Sequence, residues 1–322
     1  MSRVMVIDAL NQFLRNYIVD PSLSKNGQPI GGAKGFLKSL QKLTREIKPD
    51  EIVIVWDGSY GSRKRKSINK NYKEGRKPVR LNRDVRNLTE DQELQNKVWQ
   101  QLRVIEYLNE LPVIQLKYDQ VEADDVISFV AQHPKYDGWQ KVIVSSDKDF
   151  FQLCDNETVV FRPIQKEVMS TKSIVEKFNI HPTNFALARA IVGDKSDNLV
   201  GVKGVGLPTV AKRLPFLAED KYYTINDVIE HCKEAEGSIK AYSNIVEQQD
   251  VIKENYSIMQ LYAPLLSTIT KRHAQNVLTN FVPEFNKTGL LKLLISDGAV
   301  EYNWNELFVH FRKIIADAKR TG

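Results

Sequence analysis

The sequence predicts an α/β protein built on a doubly wound, mainly parallel sheet, and three observations carry that prediction. Apolar runs that end in acids recur at residues 3–8, 51–57 and 141–149, as expected of buried parallel strands with polar groups at their carboxyl ends. Between the first two lies an amphipathic helical stretch, so strand, helix and strand alternate as a wound sheet requires. Further on, Glu122, Asp124 and Asp125 open an apolar helical run through Val126, Ile127, Phe129 and Val130. Ligands of such sheets collect outside the carboxyl ends of the strands, where all these acids would fall.

Each element has its own signal. Val4 to Ile7 form the first strand, tipped by Asp8, and Asn11, Phe13, Arg15 and Tyr17 follow in a helix or turn. After a turn-rich span from 20 to 32, Phe36, Leu37, Leu40, Leu43 and Ile47 share one helical face, which Pro49 ends. Ile52 to Trp56 give the second strand, tipped by Asp57. From 58 to 86 the composition turns basic: Arg63, Lys64, Arg65, Lys66, Lys70, Lys73, Arg76, Lys77, Arg80, Arg83 and Arg86 are opposed only by Glu74 and Asp84. A solvated basic loop is the plain alternative. So long a positive, apolar-poor excursion directly after an acid-tipped strand is better explained as a nucleic-acid contact surface that orders only around its ligand.

Thr89 and Gln92 have capping-box spacing, and Leu94, Val98, Leu102, Ile105 and Leu108 then define the face by which the next helix returns to the core, with Trp99 as a core residue. Val113 to Leu116 read as a strand leading into the Glu122 cluster, and the strand at 141–145 leads into Asp147 and Asp149. A short strand pair and a helix fit 158–180. Phe185, Leu187, Ala188 and Ile191 mark a helix that ends in a turn holding Asp194 and Asp197. The glycines of 201–206 open a further helix, Pro208 to Leu217, and such turns let backbone N–H groups approach a phosphate, with Lys203 and Lys212 adding charge. A helix-turn-helix without a ligand is the structural alternative there. Residues 222–322 are helical in patches and carry no chemical motif, which suits packing or partner-binding helices.

A chain of 322 residues suffices for one large or two modest domains. Its formal charge of +6 fits a polyanionic partner. Cys154 and Cys232 lie far apart, outside any metal-type spacing, and are expected as reduced thiols. The N-terminus runs straight into a strand without a signal pattern, and no apolar stretch could cross a bilayer, so a soluble, intracellular, cytoplasmic protein is expected.

The acids Asp8, Asp57, Glu122, Asp124, Asp125, Asp147, Asp149, Asp194 and Asp197 form a set of hard oxygen donors suited to Mg2+ or Mn2+. Two such ions about 4 Å apart would bind both the attacking and the leaving oxygen of a phosphodiester. The segments that carry these acids are Val6-Ile7-Asp8, Val55-Trp56-Asp57-Gly58, Val121-Glu122-Ala123-Asp124-Asp125, Ser146-Asp147-Lys148-Asp149-Phe150, and Gly193-Asp194-Lys195-Ser196-Asp197-Asn198 running on to Gly201–Gly206. In this order they resemble the 5'-nuclease superfamily: flap endonucleases, phage 5'-3' exonucleases with RNase H activity, and the 5'-nuclease domain of bacterial DNA polymerase I. The likeness extends from about Arg3 to Leu217.

The resemblance implies a PIN-like core over 1–180, with a basic helical arch and return helix at 58–95. It also implies a helix-three-turn-helix (helix-hairpin-helix) region at 181–235 and a C-terminal helical region at 236–322. It places Asp8, Asp57, Glu122, Asp124, Asp147 and Asp149 around the metals, Asp125 in their support, and Asp194 and Asp197 at the second of two Mg2+ sites. Lys73 and Arg76, in Tyr72-Lys73-Glu74-Gly75-Arg76, match the arch segment that steers the reacting phosphate. Arg15 would contact the 5' side, where the family often stacks an aromatic ring; Leu14 stands at that position, with Phe13 and Tyr17 as neighbouring candidates. Lys203, Gly204, Gly206 and Lys212 would hold duplex, with K+ at the turn. The implied partners are DNA with a free 5' end, flap or nick, RNA–DNA hybrid and replication proteins, met by a monomer that removes primers and flaps. A PIN-type ribonuclease and a non-catalytic branched-DNA binding protein remain the alternatives. An aspartate-nucleophile phosphatase would need an acid close after Asp8, and Ala9 and Leu10 do not supply one.

Overall fold

Val4–Ile7, Ile52–Trp56 and Val142–Val144 are buried apolar runs without a break because both faces of these central strands are covered. β1 (Arg3–Asp8) lies between β2 (Glu51–Trp56) and β4 (Gln140–Val144), and the six-stranded sheet continues outward to β3 (Ile114–Lys117) on one side and to β5 (Thr158–Arg162) and β6 (Glu167–Met169) on the other. All neighbours are parallel except β6, which runs antiparallel to β5. The computed structural model describes the chain apart from residues 78, 86, 87, 236–238, 300 and 322, and apart from the side chains of Arg83, Arg320 and Thr321. Of the basic residues in the excursion, Arg86 and the Arg83 side chain therefore lie outside the described residues.

Alternation along the strands divides the core in two. Val4, Val6, Val53 and Val55 face α5 (Ala123–Ala131) and α7 (Pro182–Val192), and that apolar layer runs on without a break into α8 (Leu207–Arg213), α9 (Ile225–Glu234), α10 (Lys240–Glu247), α11 (Gln249–Met259) and α12 (Thr268–Asn280). Met5, Ile7, Ile52 and Ile54 face α1 (Ala9–Val19), α2 (Gly31–Ile47) and α4 (Glu90–Asn109), and the last two helices, α13 (Lys287–Asp297) and α14 (Asn305–Thr321), close the same layer. The remaining α-helices and strands are α3 (Arg63–Ile68), α6 (Thr171–Phe178) and the two-residue hairpin strands β7 (Gly193–Asp194) and β8 (Leu199–Val200). Register brings Asp8 beside Val55 and Ile7 beside Val144, so the acid-tipped ends of β1, β2 and β4 finish side by side. The wound sheet thus has the predicted architecture. Among the described residues no helix is long and apolar enough to cross a membrane.

Two expectations need correction. The helix expected to bury Leu94, Val98 and Leu102 leaves them 54%, 48% and 54% exposed, and buries Glu93, Asn96 and Gln100 instead. Satisfaction of backbone polar groups decides the turn of this helix. Gln100 Oε1 accepts from the Ala33 N–H at the start of α2 (3.1 Å), Asn96 Nδ2 donates to the Pro29 carbonyl (2.9 Å), and Glu93 accepts from the Leu81 N–H. Nor does the basic excursion lack anchors without a ligand. It folds the short α3 and buries Arg65, Tyr72 and Leu81 at 3%, 2% and 1% exposure.

Candidate active site

The site grows out of the carboxyl ends of β1 to β4. Asp8 ends β1 and caps α1, its Oδ1 accepting from the Asn11 N–H at 3.1 Å and its Oδ2 from the Ser145 hydroxyl at 2.9 Å. Asp57, just past β2, accepts from the Ala123 N–H at 3.0 Å and so caps α5 from another strand. That leaves Glu122, the N-cap residue of α5, free of the capping role its position would give it. Instead its Oε2 accepts from Arg65 at 2.7 Å and from the Tyr72 hydroxyl at 3.2 Å, while its Oε1 accepts from Lys73 Nζ at 2.5 Å. Asp124 lies one residue into the same helix. Past β4, the Asp147 N–H is held by the Ser145 hydroxyl, and Asp147 Oδ1 in turn takes the Asp149 N–H at 2.8 Å.

From the neighbouring helix of the same layer, Arg189 on α7 donates to Asp149 at 2.9 Å and also to Asp194, while Arg76 of the basic excursion donates to Asp197 and to the Ser196 carbonyl. The Lys73 N–H bonds the Asp197 carbonyl at 2.8 Å, which pulls the arch segment down onto the hairpin. Asp125 differs from the rest. Its Oδ2 accepts from Arg65 at 2.6 Å and its Oδ1 from the Leu265 N–H at 2.8 Å, so both oxygens are engaged beneath the site.

Electrostatics shows that these acids form one basket. Burial and then the charge of Asp57 push the Asp8 carboxyl up to about 7, with Asp147 adding to the effect. Burial and Asp147 hold Asp124 well above the usual range, and the same two causes push Asp149 to about 7 against the pull of Arg189. Asp57 and Asp197 are also raised, chiefly by burial, with Glu122 and Asp194 among the contributing charges. Glu122 goes the other way: burial would raise it, but Lys73 and Arg65 outweigh burial and lower it. Asp194 is likewise lowered, because Ser196 and Arg189 outweigh burial. Remote stretches of sequence therefore converge on one crowded anionic site.

The crowding has a signed consequence for stability. Asp8 titrates near 7 when folded against 3.8 when free, so between those values the folded chain holds a proton that the unfolded chain lacks. Its contribution to stability is present below about pH 4, declines by roughly 1.4 kcal/mol per pH unit across that window, and is gone above about pH 7. In chelating buffer the melting temperature should therefore fall between about pH 4 and pH 7, and Asp8→Asn should flatten the fall. An unchanged slope in that variant would contradict the assignment.

Other predicted residues lie nearby in different settings. Arg15 is half-buried on α1 and donates to Gln12 at 2.6 Å. The aromatic candidates for stacking fail: Phe13 and Tyr17 are wholly buried, packed on each other at 5.6 Å, because they occupy the face of α1 turned to the sheet. Leu14 instead lines an apolar groove of about 390 Å3 with Leu10, Trp56, Val98 and Leu102, and Asp57 stands in its wall. That groove is where the exposed residues of α4 lead. Lys203 and Lys212 are exposed. The Lys203 N–H donates to Gln248 at 3.2 Å, and Gly204 takes φ +74° as the turn requires. Gly201 is glycine for a different reason: a Cβ there would stand 1.9 Å from the Val192 carbonyl. Sequence reasoning missed Arg189, Ser145 and Tyr72 as partners of the acids; an arginine on the helix that leads into Asp194, five positions before it, was the one available signal.

Carboxylates from several strand ends beneath a basic segment, at the point where a parallel sheet reverses its winding order, define a phosphodiester-cleaving α/β nuclease. Residues 3–179 match the family described as the 5'-3' exonuclease, N-terminal resolvase-like domain, and the chain belongs to that family. Among relatives, a 5'-3' exonuclease of Aquifex aeolicus is 26% identical over 303 residues, covering 91% of this chain and 95% of the relative. The thermostable DNA polymerase I of Thermus aquaticus is 31% identical over 214 residues; the match covers 66% of this chain but only 24% of the polymerase. The flap endonuclease of bacteriophage T5, solved with DNA and metal ions, superimposes with a TM-score of 0.67 at 17% identity, covering 86% of this chain and 98% of that one, and shares the fold.

Proposed function

We propose that the chain is a divalent-cation-dependent 5'-nuclease that hydrolyses phosphodiester bonds near the 5' end of DNA flaps and nicked duplexes, with RNA–DNA hybrids also cleaved, at replicating DNA. The observation that carries this reading is the convergence of acids from β1, β2, β4, α5 and the β7–β8 hairpin into one electrostatic unit. Family membership supports it.

The donor set fits hard divalent cations. Among the described residues no three carboxylates stand close enough for an all-protein cage. Mg2+ seldom needs one, since one or two carboxylates with water and substrate phosphate suffice. In our assignment Asp8, Asp57, Glu122, Asp124, Asp147 and Asp149 would surround the metals, and Asp194 and Asp197 would complete the second site. Asp125, with both oxygens engaged, holds the others in place. When bound, two Mg2+ or Mn2+ supply a hydroxide nucleophile at neutral pH and balance charge on the attacking and leaving oxygens. Lys73 and Arg76 turn their charges from Glu122 and Asp197 to the scissile phosphate. Arg15 contacts the 5' side, and Lys203, Gly204, Gly206 and Lys212 hold duplex at a turn that also takes K+. We read 1–180 as the nuclease core, 181–235 as the duplex-holding region and 236–322 as a helical region that completes both layers, the protein acting as a monomer.

End-labelled 5'-flap, nicked, single-stranded and RNA–DNA substrates, compared with Mg2+ and with chelator, test the proposal. Metal-dependent cleavage near the 5' end of the flap is expected. Cleavage confined to single-stranded RNA would favour a ribonuclease, and undiminished cleavage in chelator would refute the metal assignment. Lys203→Ala and Lys212→Ala should each weaken flap binding and reduce its salt slope by about one, with the single-turnover rate unchanged. A slowed rate at saturating enzyme would assign these lysines to the chemistry.

A further inference from the structure

Among the described residues Arg65 is the most deeply buried cation of the basic excursion, and nothing in a phosphate-contacting role requires it to be buried. At 3% exposure it cannot reach a phosphate. Its guanidinium spends its donors inside the protein: Nε on the Ile258 carbonyl at 2.9 Å, and one terminal nitrogen on both Glu122 Oε2 (2.7 Å) and Asp125 Oδ2 (2.6 Å). Two of these three partners are fixed. Ile258 lies near the end of α11, a helix seated firmly against α7, and Asp125 is locked from its other side by the Leu265 N–H. The next two backbone groups tighten the same strap, since the Gln152 side chain bonds the Met259 carbonyl and the Leu261 N–H. Arg65 is thus held from behind, and Glu122 is the partner it directs.

Glu122 is the N-cap residue of α5, and Asp57 rather than Glu122 caps that helix. With Oε2 pinned by Arg65 and Tyr72, Oε1 is the oxygen left facing Lys73 and the basket. We propose that Arg65 is a positioning residue that, braced on the Ile258 carbonyl and Asp125, fixes the Glu122 carboxylate so that one oxygen is presented to the divalent cation. The inference rests on the reading of Glu122 as a metal ligand. A planar guanidinium suits this task better than an ammonium, because its donors point in fixed, pre-organised directions whereas lysine presents three rotatable donors from a flexible stem. Loss of a group that orients a metal ligand typically costs about 10- to 100-fold in metal affinity or activity.

The test is Mn2+ binding to the full chain without DNA, followed by electron paramagnetic resonance, for Arg65→Lys, Arg65→Gln, Glu122→Gln and the Arg65→Lys/Glu122→Gln double variant. Single-turnover cleavage of a 5'-flap duplex against Mn2+ concentration is measured alongside. Arg65→Lys should fold, bind the flap as tightly as the parent in Ca2+, and lose about 10-fold or more in Mn2+ affinity, with its cleavage rate partly recovered at high Mn2+. Because both single variants act on one carboxylate, the double variant should bind Mn2+ no more weakly than Glu122→Gln alone. Arg65→Gln takes from the buried Asp125 its cation and from Glu122 one of its two, and is expected to lose stability as well; Arg65→Lys decides the matter if that variant fails to fold. Parent-like Mn2+ affinity in Arg65→Lys beside a weakened Glu122→Gln, or additive losses in the double variant, would overturn the positioning role. Parent-like affinity in Glu122→Gln would instead overturn the metal-site reading itself.

Discussion

Asp124→Asn should yield a protein that is more stable than the parent in chelating buffer near pH 8 and that cleaves a 5'-flap about 1000-fold more slowly, the upper end of what loss of one electrostatic stabiliser costs. Both effects have one cause. Asp124 sits on the first turn of α5, and burial and Asp147 hold its carboxyl well above the usual range, so its ionised form is costly unless a cation answers it. The amide keeps the shape and removes the charge, which relieves Glu122, Asp147 and Asp8 together. The same change removes a donor oxygen from the place where we assign the cation. Function here is built at the expense of stability. Thermal melts with chelator and with Mg2+, beside single-turnover cleavage, measure both sides. A variant that melts lower than the parent in chelator would show that Asp124 is a structural acid.

Lys73→Ala should slow single-turnover cleavage by about 100- to 1000-fold while changing flap affinity only about 2-fold. Lys73 adopts a left-handed backbone at φ 57°, its N–H fixed on the Asp197 carbonyl, and its ammonium stands 5.0 Å over the Tyr72 ring while it bonds Glu122. Burial would lower this lysine, but Glu122 and Asp124 outweigh burial and raise it, so it stays charged through the working range. A charge so placed gains most as negative charge develops on the phosphate, which is why rate rather than binding should suffer. A second consequence separates this from a simple packing defect. With Lys73 gone, Glu122 loses a competitor, and Mn2+ should bind more tightly to the variant without DNA. Loss of flap affinity at an unchanged single-turnover rate would reassign Lys73 to docking.

The wound sheet was legible because β1, β2 and β4 each announce themselves by an apolar run and an acid tip, the pattern of parallel strands covered on both faces. The acids of the site were legible for the same reason, since strand ends are where such sheets place chemistry. What could not be read was which way polar residues turn when two demands compete. In α4 the apolar residues Leu94, Val98 and Leu102 mimic a core stripe, yet Glu93, Asn96 and Gln100 are buried because backbone donors and acceptors at α2 and Leu81 need them. Arg65 was hidden within a run of similar cations, and only the fold, which brings Ile258 to it across 193 positions of sequence, sets it apart. Phe13 and Tyr17 were candidates for a base contact until the phase of α1 placed both against the sheet.

The layer holding α1, α2 and α4 is completed by Leu307, Phe308, Phe311 and Ile314 of α14, and Asp297 at the end of α13 ties Arg103 and Tyr107 of α4 into the same seam. A ribosome making this chain therefore releases the whole acidic cluster well before the helices that seal the opposite side. Until they emerge, Phe36, Leu40 and Leu43 have an incomplete cover, and the nascent polypeptide carries a sticky apolar flank that invites chaperone capture. Premature termination anywhere before α13 would leave that flank open for good, so shortened products should be found in aggregates or degraded rather than cutting nucleic acid in the cell.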